Sequence, residues 1–234
     1  MSHIDGKKRH PKPDLYVALR YRLRASGISR VDMIRFERDL CGEVPDIKAR
    51  VPVQVSVLTE PSQAAELGRA RLWDGFEERA WRKWSPERLR RRMEERTNDF
   101  LGRLADGEMV AVAVHDGKYV GAAWFCLRGR KGDPVIDSFV ELAPMEAFLY
   151  QSQVDRSMRG NGIYSTLISV GLKHLMKLGY QKVSVHIEDD NVPSIAAVER
   201  LGFRPLRLIR FRRLFSSVHR EEVDMPRAGT GGAD

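Results

Sequence analysis

Residues 159–164 read Arg-Gly-Asn-Gly-Ile-Tyr, and this stretch decides the fold because of the segments on its two sides. An apolar run at 147–150 predicts a strand that leads into it, and a helical pattern over 165–178 leads out of it. Two glycines at such a turn let the backbone approach a ligand closely and expose main-chain N–H groups. The helix N-terminus adds partial positive charge, so the turn predicts a site for a phosphate or pyrophosphate.

A second segment makes the first more specific. The glycine turn is neither a Gly-x-Gly-x-x-Gly fingerprint nor a Walker loop. Downstream, however, residues 191–203 read Asn-Val-Pro-Ser-Ile-Ala-Ala-Val-Glu-Arg-Leu-Gly-Phe. Together the two segments resemble the GNAT superfamily of acyl-CoA-dependent N-acyltransferases, in which such a turn binds the coenzyme A pyrophosphate. The resemblance is strong over residues 145–203 and extends more weakly back to about residue 51.

The resemblance implies an α/β (α+β) GNAT fold, in which helices flank a mixed, mostly antiparallel central sheet. It also implies an acyl-CoA-dependent N-acyltransferase that moves acetyl from acetyl-CoA, or another acyl group, to a primary amine by direct attack. We expect a disordered basic tail at 1–13, an N-terminal helical extension at 14–50, the GNAT domain at 51–225 and a flexible tail at 226–234.

Local patterns predict the elements. In the extension, one helix begins at Asp14, and a second is capped by Ser29 and carries Met33, Phe36 and Leu40 in line. Predicted strands are 51–57, 108–114, 118–127, 145–154, 182–186 and 206–214, the last of them an edge strand with solvated arginines. Predicted helices are 61–73, 85–104 and 193–201, and residues 128–133 are expected to be a mobile loop.

The family's cofactor contacts can be carried over to matching positions. The strand of residues 145–154 would pair its freed backbone with the pantetheine arm, and an N–H near Val154 would serve the thioester oxygen. The cofactor residues implied by the resemblance are Gln153, Val154, Asp155, Arg159, Gly160, Asn161, Gly162, Ile163, Tyr164, Asn191 and Ser194. Asn191 is equally typical of a helix N-cap, and Tyr164 stands where the family usually has Gly or Ala.

Catalysis needs a base, because a lysine-type amine has a pKa of about 10.4. By resemblance we expect Glu146 to be this base, although a structural salt bridge would also explain a carboxylate at the start of a strand. Val198 stands where the family has a tyrosine as general acid, so either Tyr150, Tyr164 or water would protonate the thiolate, or no acid is needed. His186, Glu188, Asp189 and Asp190 could orient a cationic amine, although solvated loop charge would also explain them. The histidines show no metal-ligand spacing, so we expect no metal.

The sequence leaves two other functional classes open. The net charge of +8 is compatible with a nucleic-acid-binding protein, but an arginine-rich surface explains it equally well. A non-catalytic acyl-CoA-binding regulatory module is the other alternative, because neither the base nor the acid is certain from sequence. The two cysteines are far apart and no apolar run reaches the roughly eighteen residues of a membrane span, which favours a reduced, cytoplasmic protein. A homodimer is compatible with the family resemblance.

Overall fold

The computed structural model of the 234-residue chain describes residues 28–63, 67–68, 84–133, 136 and 138–226. The strands are β1 (Ile28–Asp39), β2 (Gln54–Leu58), β3 (Met109–His115), β4 (Lys118–Cys126), β5 (Arg130–Asp133), β6 (Ser138–Glu141), β7 (Glu146–Val154), β8 (Lys182–Glu188), β9 (Arg204–Leu214) and β10 (Ser217–Asp224). The helices are α1 (Pro86–Ala105), α2 (Ile163–Lys177) and α3 (Val192–Arg200).

Eight strands form one sheet in the order β10-β9-β1-β8-β7-β4-β3-β2. Within it, β7 and β8 run parallel, and the other described neighbours run antiparallel. Strands β5 and β6 make a separate two-stranded sheet. The predicted mixed, mostly antiparallel sheet flanked by helices is therefore confirmed.

The two faces of the sheet carry different helices. Alternate residues of β3 point to opposite sides, so Val110 packs with α1 while Met109 packs with α2 and α3. We call these sides the α1 face and the α2 face. Helix α2 lies very close to β4, because a Cβ on Gly171 would fall 2.5 Å from the ring of Phe125. This glycine sets the depth at which α2, and hence the turn that precedes it, sits on the sheet.

Residues 28–39 correct the sequence interpretation, because they form a twelve-residue strand and not the predicted helix capped by Ser29. Strand β1 lies between β8 and β9, where both of its faces are covered. Met33 packs under Ile136 on the α1 face, and Phe36 enters the main core on the other. A strand that is buried on both faces does not alternate strictly between apolar and polar residues. The spacing of Met33, Phe36 and Leu40 therefore also fits a helix.

Other predicted elements fall close to the observed ones. Ser85 caps α1, its Oγ accepting the N–H of Arg88 at 3.2 Å. The predicted helix over 61–73 lies mostly outside the described residues, as does the one predicted from Asp14. Residues 130–133, expected in a mobile loop, instead form β5 and pair with β6. In the described part of the chain, no helix is both long and apolar enough to cross a membrane.

Strand β9 is not the predicted edge strand, because β10 follows it and pairs along its length. The arginines on β9 face acidic residues on β10. Arg207 forms ion pairs with Glu222 and Asp224, both at 2.9 Å, and Arg210 forms one with Glu221 at 3.1 Å. Arg207 and Arg210 are therefore paired with carboxylates within the hairpin and are not free cations on an edge strand.

Candidate active site

A gap opens where β7 and β8 part. Their pairing runs from Glu146 opposite Lys182 to Leu149 opposite Val185 and stops there. On the other side of β7, Tyr150 faces Trp124 but Gln153 faces Ala122, so β7 carries one extra residue at this point. Gln151 has a φ of 42°, which marks the extra residue as a bulge. A bulge bends its strand, and here it coincides with the point at which β7 leaves β8.

The backbone beside the gap is only partly available to a ligand. Asp155 donates its N–H to the carbonyl of Val120 at 2.8 Å, and its carbonyl accepts the N–H of Met158 at 2.9 Å. The prediction of a freed main chain at Asp155 is therefore wrong, because both groups are already used. Backbone groups of successive residues point to opposite sides of a strand, so the N–H of Val154 is directed away from β4 and toward the gap.

The glycine turn lies at the end of β7. Gly160 and Gly162 have φ values of 82° and 79°, the left-handed conformation that glycine adopts without strain. A Cβ built on Gly160 would meet nothing within 4 Å, so the outer side of the turn is open. The turn is held from behind, where the carbonyl of Asn161 accepts the N–H of Arg50 at 2.8 Å. The segment before β2 thus fixes a turn whose outer side faces away from the protein.

Helix α2 begins directly after this turn. Gly162 is its N-cap and supplies no side chain, and the N–H of Thr166 returns to the Gly162 carbonyl at 3.1 Å. The first N–H groups of a helix have no partner within it, so those of Ile163 and Tyr164 remain for a ligand. The structure thus brings the predicted residues of the turn together as an array of main-chain donors at the positive end of a helix dipole.

Tyr164 does not obstruct the turn. Its ring packs against the main core, and its hydroxyl forms a hydrogen bond with the Ser152 side chain in the bulge of β7. Burial raises the pKa of Tyr164 above its usual value, although the bond with Ser152 acts in the opposite direction. The tyrosine therefore stays protonated at neutral pH and ties the start of α2 to the bulge.

Two further predicted residues lie on the turn and beyond β8. Arg159 is exposed, and its Nε donates to the carbonyl of Val154 at 3.1 Å. Asn191 is the N-cap of α3, and its side chain accepts the N–H of Ser194 at 3.4 Å. The helix-cap interpretation of Asn191 is confirmed.

Glu146 lies at the first residue of β7, away from the gap. Its Oε1 accepts from Arg35 Nη2 at 3.2 Å and from Ser184 Oγ at 3.1 Å, and its Oε2 accepts the N–H of Ala143 at 3.3 Å. The residue is 7% exposed. These contacts match the structural salt bridge that the sequence left as an alternative, and we do not retain Glu146 as the base.

Tyr150 belongs to a polar cluster on the α1 face. Its hydroxyl donates to Glu108 Oε2, and Glu108 Oε1 accepts from Lys131 Nζ at 2.6 Å. The Lys131 ammonium also lies 4.1 Å from the centre of the Tyr150 ring. Burial raises the pKa of Tyr150 well above its usual value. Because its proton is already held by a carboxylate, Tyr150 is poorly placed to protonate a thiolate.

A second polar pair on the α1 face lies at the gap itself. His186 Nδ1 is 2.8 Å from Asp133 Oδ2, and the two side chains are 4% and 8% exposed. The edge of the His186 ring meets Phe148, with centroids 5.2 Å apart. Sequence reasoning named His186 but missed Asp133 and Lys131, because the residues that became β5 were expected to be a loop. It also gave no role to Glu108, which it placed at the start of the predicted strand 108–114.

No group of three or more His, Cys, Asp or Glu side chains within the described ranges is arranged to hold a metal ion.

Comparisons with known proteins place this geometry in a family. The model described as "Acetyltransferase (GNAT) family" matches residues 73–203. A mycothiol acetyltransferase of Geodermatophilus obscurus is 27% identical over 177 residues, which cover 73% of this chain and 51% of that protein. One of Thermomonospora curvata is 29% identical over 185 residues, covering 76% and 54%. The chain thus spans about half the length of these curated relatives.

Solved structures agree at the level of the fold. A tandem GNAT protein from the clavulanic acid biosynthesis pathway superposes with a TM-score of 0.51 at 19% identity, over 92% of this chain and 61% of that one. A GNAT-family acetyltransferase from Colwellia psychrerythraea gives 0.51 at 17% identity, over 86% and 62%.

Proposed function

The chain belongs to the acetyltransferase (GNAT) family, and from that premise we propose that it transfers acetyl from acetyl-CoA to a primary amine. The observation that carries the proposal is the gap between β7 and β8, which ends at the glycine turn and the start of α2. A ligand that is anionic at one end and extended along its length fits this arrangement, because backbone donors line the gap and the helix dipole favours negative charge.

In this proposal the turn holds the pyrophosphate. The N–H groups of residues 160–164 donate to its oxygens, and the open side of Gly160 lets the phosphates approach the backbone. Arg159 adds a positive charge at the exposed rim. Asn191 and Ser194 border the other side of the gap at the start of α3, where they reach the pantetheine or the phosphates.

The pantetheine arm lies in the gap, beside the backbone of Gln153 and Val154. The N–H of Val154 points away from β4, so it is free to donate to the thioester carbonyl. This donation polarises the carbonyl and stabilises the oxyanion that forms as the amine attacks. The amine approaches from the α1 face. Bond formation to nitrogen then expels the CoA thiolate without a covalent intermediate on the protein, and the site contributes by positioning the two reactants.

A small amine is the acceptor class that we propose. Both relatives quoted above are named mycothiol acetyltransferases, so the unacetylated precursor of mycothiol belongs in the first set of amines tested, beside simple polyamines and aminosugars. The paired side chains of Glu108, Tyr150 and Lys131 make this part of the α1 face polar, which suits a polar acceptor.

The test is acetyl transfer itself. Purified protein is incubated with acetyl-CoA and each amine, and the N-acetyl product is measured by mass spectrometry, with free CoA as a second product. Product above the uncatalysed rate for at least one amine supports the proposal. If acetyl-CoA binds and no amine in a broad set is acetylated, the non-catalytic acyl-CoA-binding module becomes the better account.

A further inference from the structure

We propose that His186, oriented by Asp133, takes the proton from the attacking amine and later gives it to the departing thiolate. This inference rests on the proposed acetyl transfer. The two side chains come from different elements, β8 and β5, and meet at 2.8 Å between Nδ1 and Oδ2. An ionised carboxylate can only accept, so Nδ1 carries the hydrogen and Nε2 of the neutral ring keeps its lone pair.

The second ring nitrogen has no partner. Nε2 of His186 is buried and makes no hydrogen bond, and the ring is held in place by the edge contact with Phe148. Buried polar atoms in proteins are normally paired, so an unpaired one needs an explanation. A nitrogen that exchanges a proton with a substrate must be open in this way, whereas Nδ1 is already used by Asp133.

The position of His186 matches this role. It directly follows Val185, the last residue of β8 that pairs with β7. Its side chain is 4% exposed although the residue as a whole is partly exposed, so the accessible part is its main chain, which borders the gap. The ring lies on the α1 face beside Phe148, the side from which we propose that the amine approaches. For proton transfer, the amine must come within hydrogen-bond distance of Nε2, either directly or through one bridging water.

For an amine that has already lost its ammonium proton to water, the proton balance is closed without another group. As the amine nitrogen bonds to the thioester carbon, the carbonyl π electrons move to oxygen, and the N–H proton passes to Nε2. When the oxyanion collapses, the C–S bond breaks, its electron pair stays on sulfur, and the imidazolium returns the proton to form the CoA thiol. Because one ring performs both transfers, the family's tyrosine acid is not needed, which accounts for the buried Val198 at its position.

Several charged groups surround the ring. Arg35 lies opposite His186 on β1 and is paired with Glu37 and Glu146. Glu188 is two residues further along β8 on the same face, and on β5 Lys131 is paired with Glu108. The carboxylate in direct contact with the ring is that of Asp133.

The test compares His186→Gln and Asp133→Asn with wild type, and His219→Gln on the exposed β10 serves as the matched control. For each we would measure acetyl-CoA affinity by calorimetry and kcat against pH with one acetylated amine. We expect His186→Gln to bind acetyl-CoA as wild type does, to lose about a hundredfold to ten-thousandfold in kcat, and to lose the fall in kcat toward low pH. Asp133→Asn should also lower kcat, because it removes the carboxylate that orients the ring.

The outcomes separate the two proposals. If wild type acetylates no amine, the proposed function fails and this inference fails with it. If wild type is active and His186→Gln keeps both its rate and its low-pH fall, only the inference is overturned. If His186→Gln loses acetyl-CoA affinity by the same factor as it loses kcat, the ring supports the cofactor site and does not transfer the proton. That result would also overturn the inference.

Discussion

Replacing Glu146 by glutamine separates a structural carboxylate from a catalytic one. The side chain keeps its shape, but the charge that faces Arg35 disappears. Glutamine can still accept from Ser184, yet its amide group then meets the N–H of Ala143, which is also a donor. We therefore expect Glu146→Gln to destabilise the fold and to leave the chemistry of the folded protein unchanged.

The magnitude follows from the contacts. Removing one partner of a fully buried ion pair costs about 3–5 kcal/mol, and a single charged hydrogen bond about 1.5–3 kcal/mol. Arg35 is 24% exposed at its side chain and keeps Glu37 at 2.8 Å, so the lower range applies. We expect a loss of about 2 kcal/mol, which for a domain of this size lowers Tm by roughly 4–8 °C.

The assay combines thermal unfolding with acetyl transfer on the same samples. Glu141→Gln, at an exposed position on β6, is the control and should leave Tm unchanged. We expect kcat of Glu146→Gln, measured well below its Tm, to stay within about threefold of wild type, because Glu146 lies opposite Lys182, about 13 Å along β8 from His186. A kcat lower by a hundredfold with no change in Tm would refute the reasoning and return Glu146 to the role of base.

Two other predictions concern packing and thiol reactivity. Gly171→Ala should lower Tm, because its Cβ would lie 2.5 Å from the buried Phe125 ring. Gly102→Ala should raise Tm slightly, because a Cβ there meets nothing within 4 Å and alanine has the better helix propensity. A rise in Tm for both variants would disprove the close approach of α2 to β4. Ellman's reagent at neutral pH should label the exposed Cys41 quickly and Cys126 only after unfolding. Burial raises the pKa of the Cys126 thiol and so keeps it unreactive. Fast labelling of both cysteines in the folded protein would contradict this prediction.

The sequence was most informative where local chemistry decides the structure. The glycine turn requires a left-handed backbone at Gly160 and Gly162, and serine and asparagine are preferred N-cap residues, as Ser85 and Asn191 are here. These features depend on a few neighbouring residues, so they could be predicted from one chain.

The rest depends on contacts between distant segments. Strand β1 was predicted as a helix because its pairing with β8 and β9 is invisible in the local pattern. The bulge at Gln151 and the ion pair of Glu146 with Arg35 likewise arise from tertiary pairing. His186 was recognisable as a candidate, but its partner Asp133 was not, since only the β5–β6 hairpin brings that carboxylate to it.

The central claim is that the turn of residues 159–164 binds the pyrophosphate of an acyl-CoA, and calorimetric titration with acetyl-CoA tests it most directly. Three proteins are compared: wild type, Gly160→Asp, and Gly129→Asp, which carries the same change at another open left-handed glycine beside β5. We predict micromolar binding by wild type and by Gly129→Asp, and none by a folded Gly160→Asp, because its Cβ and carboxylate would lie on the open side of the turn, where the phosphates bind. Unchanged binding by Gly160→Asp, or no binding by wild type, would contradict the account.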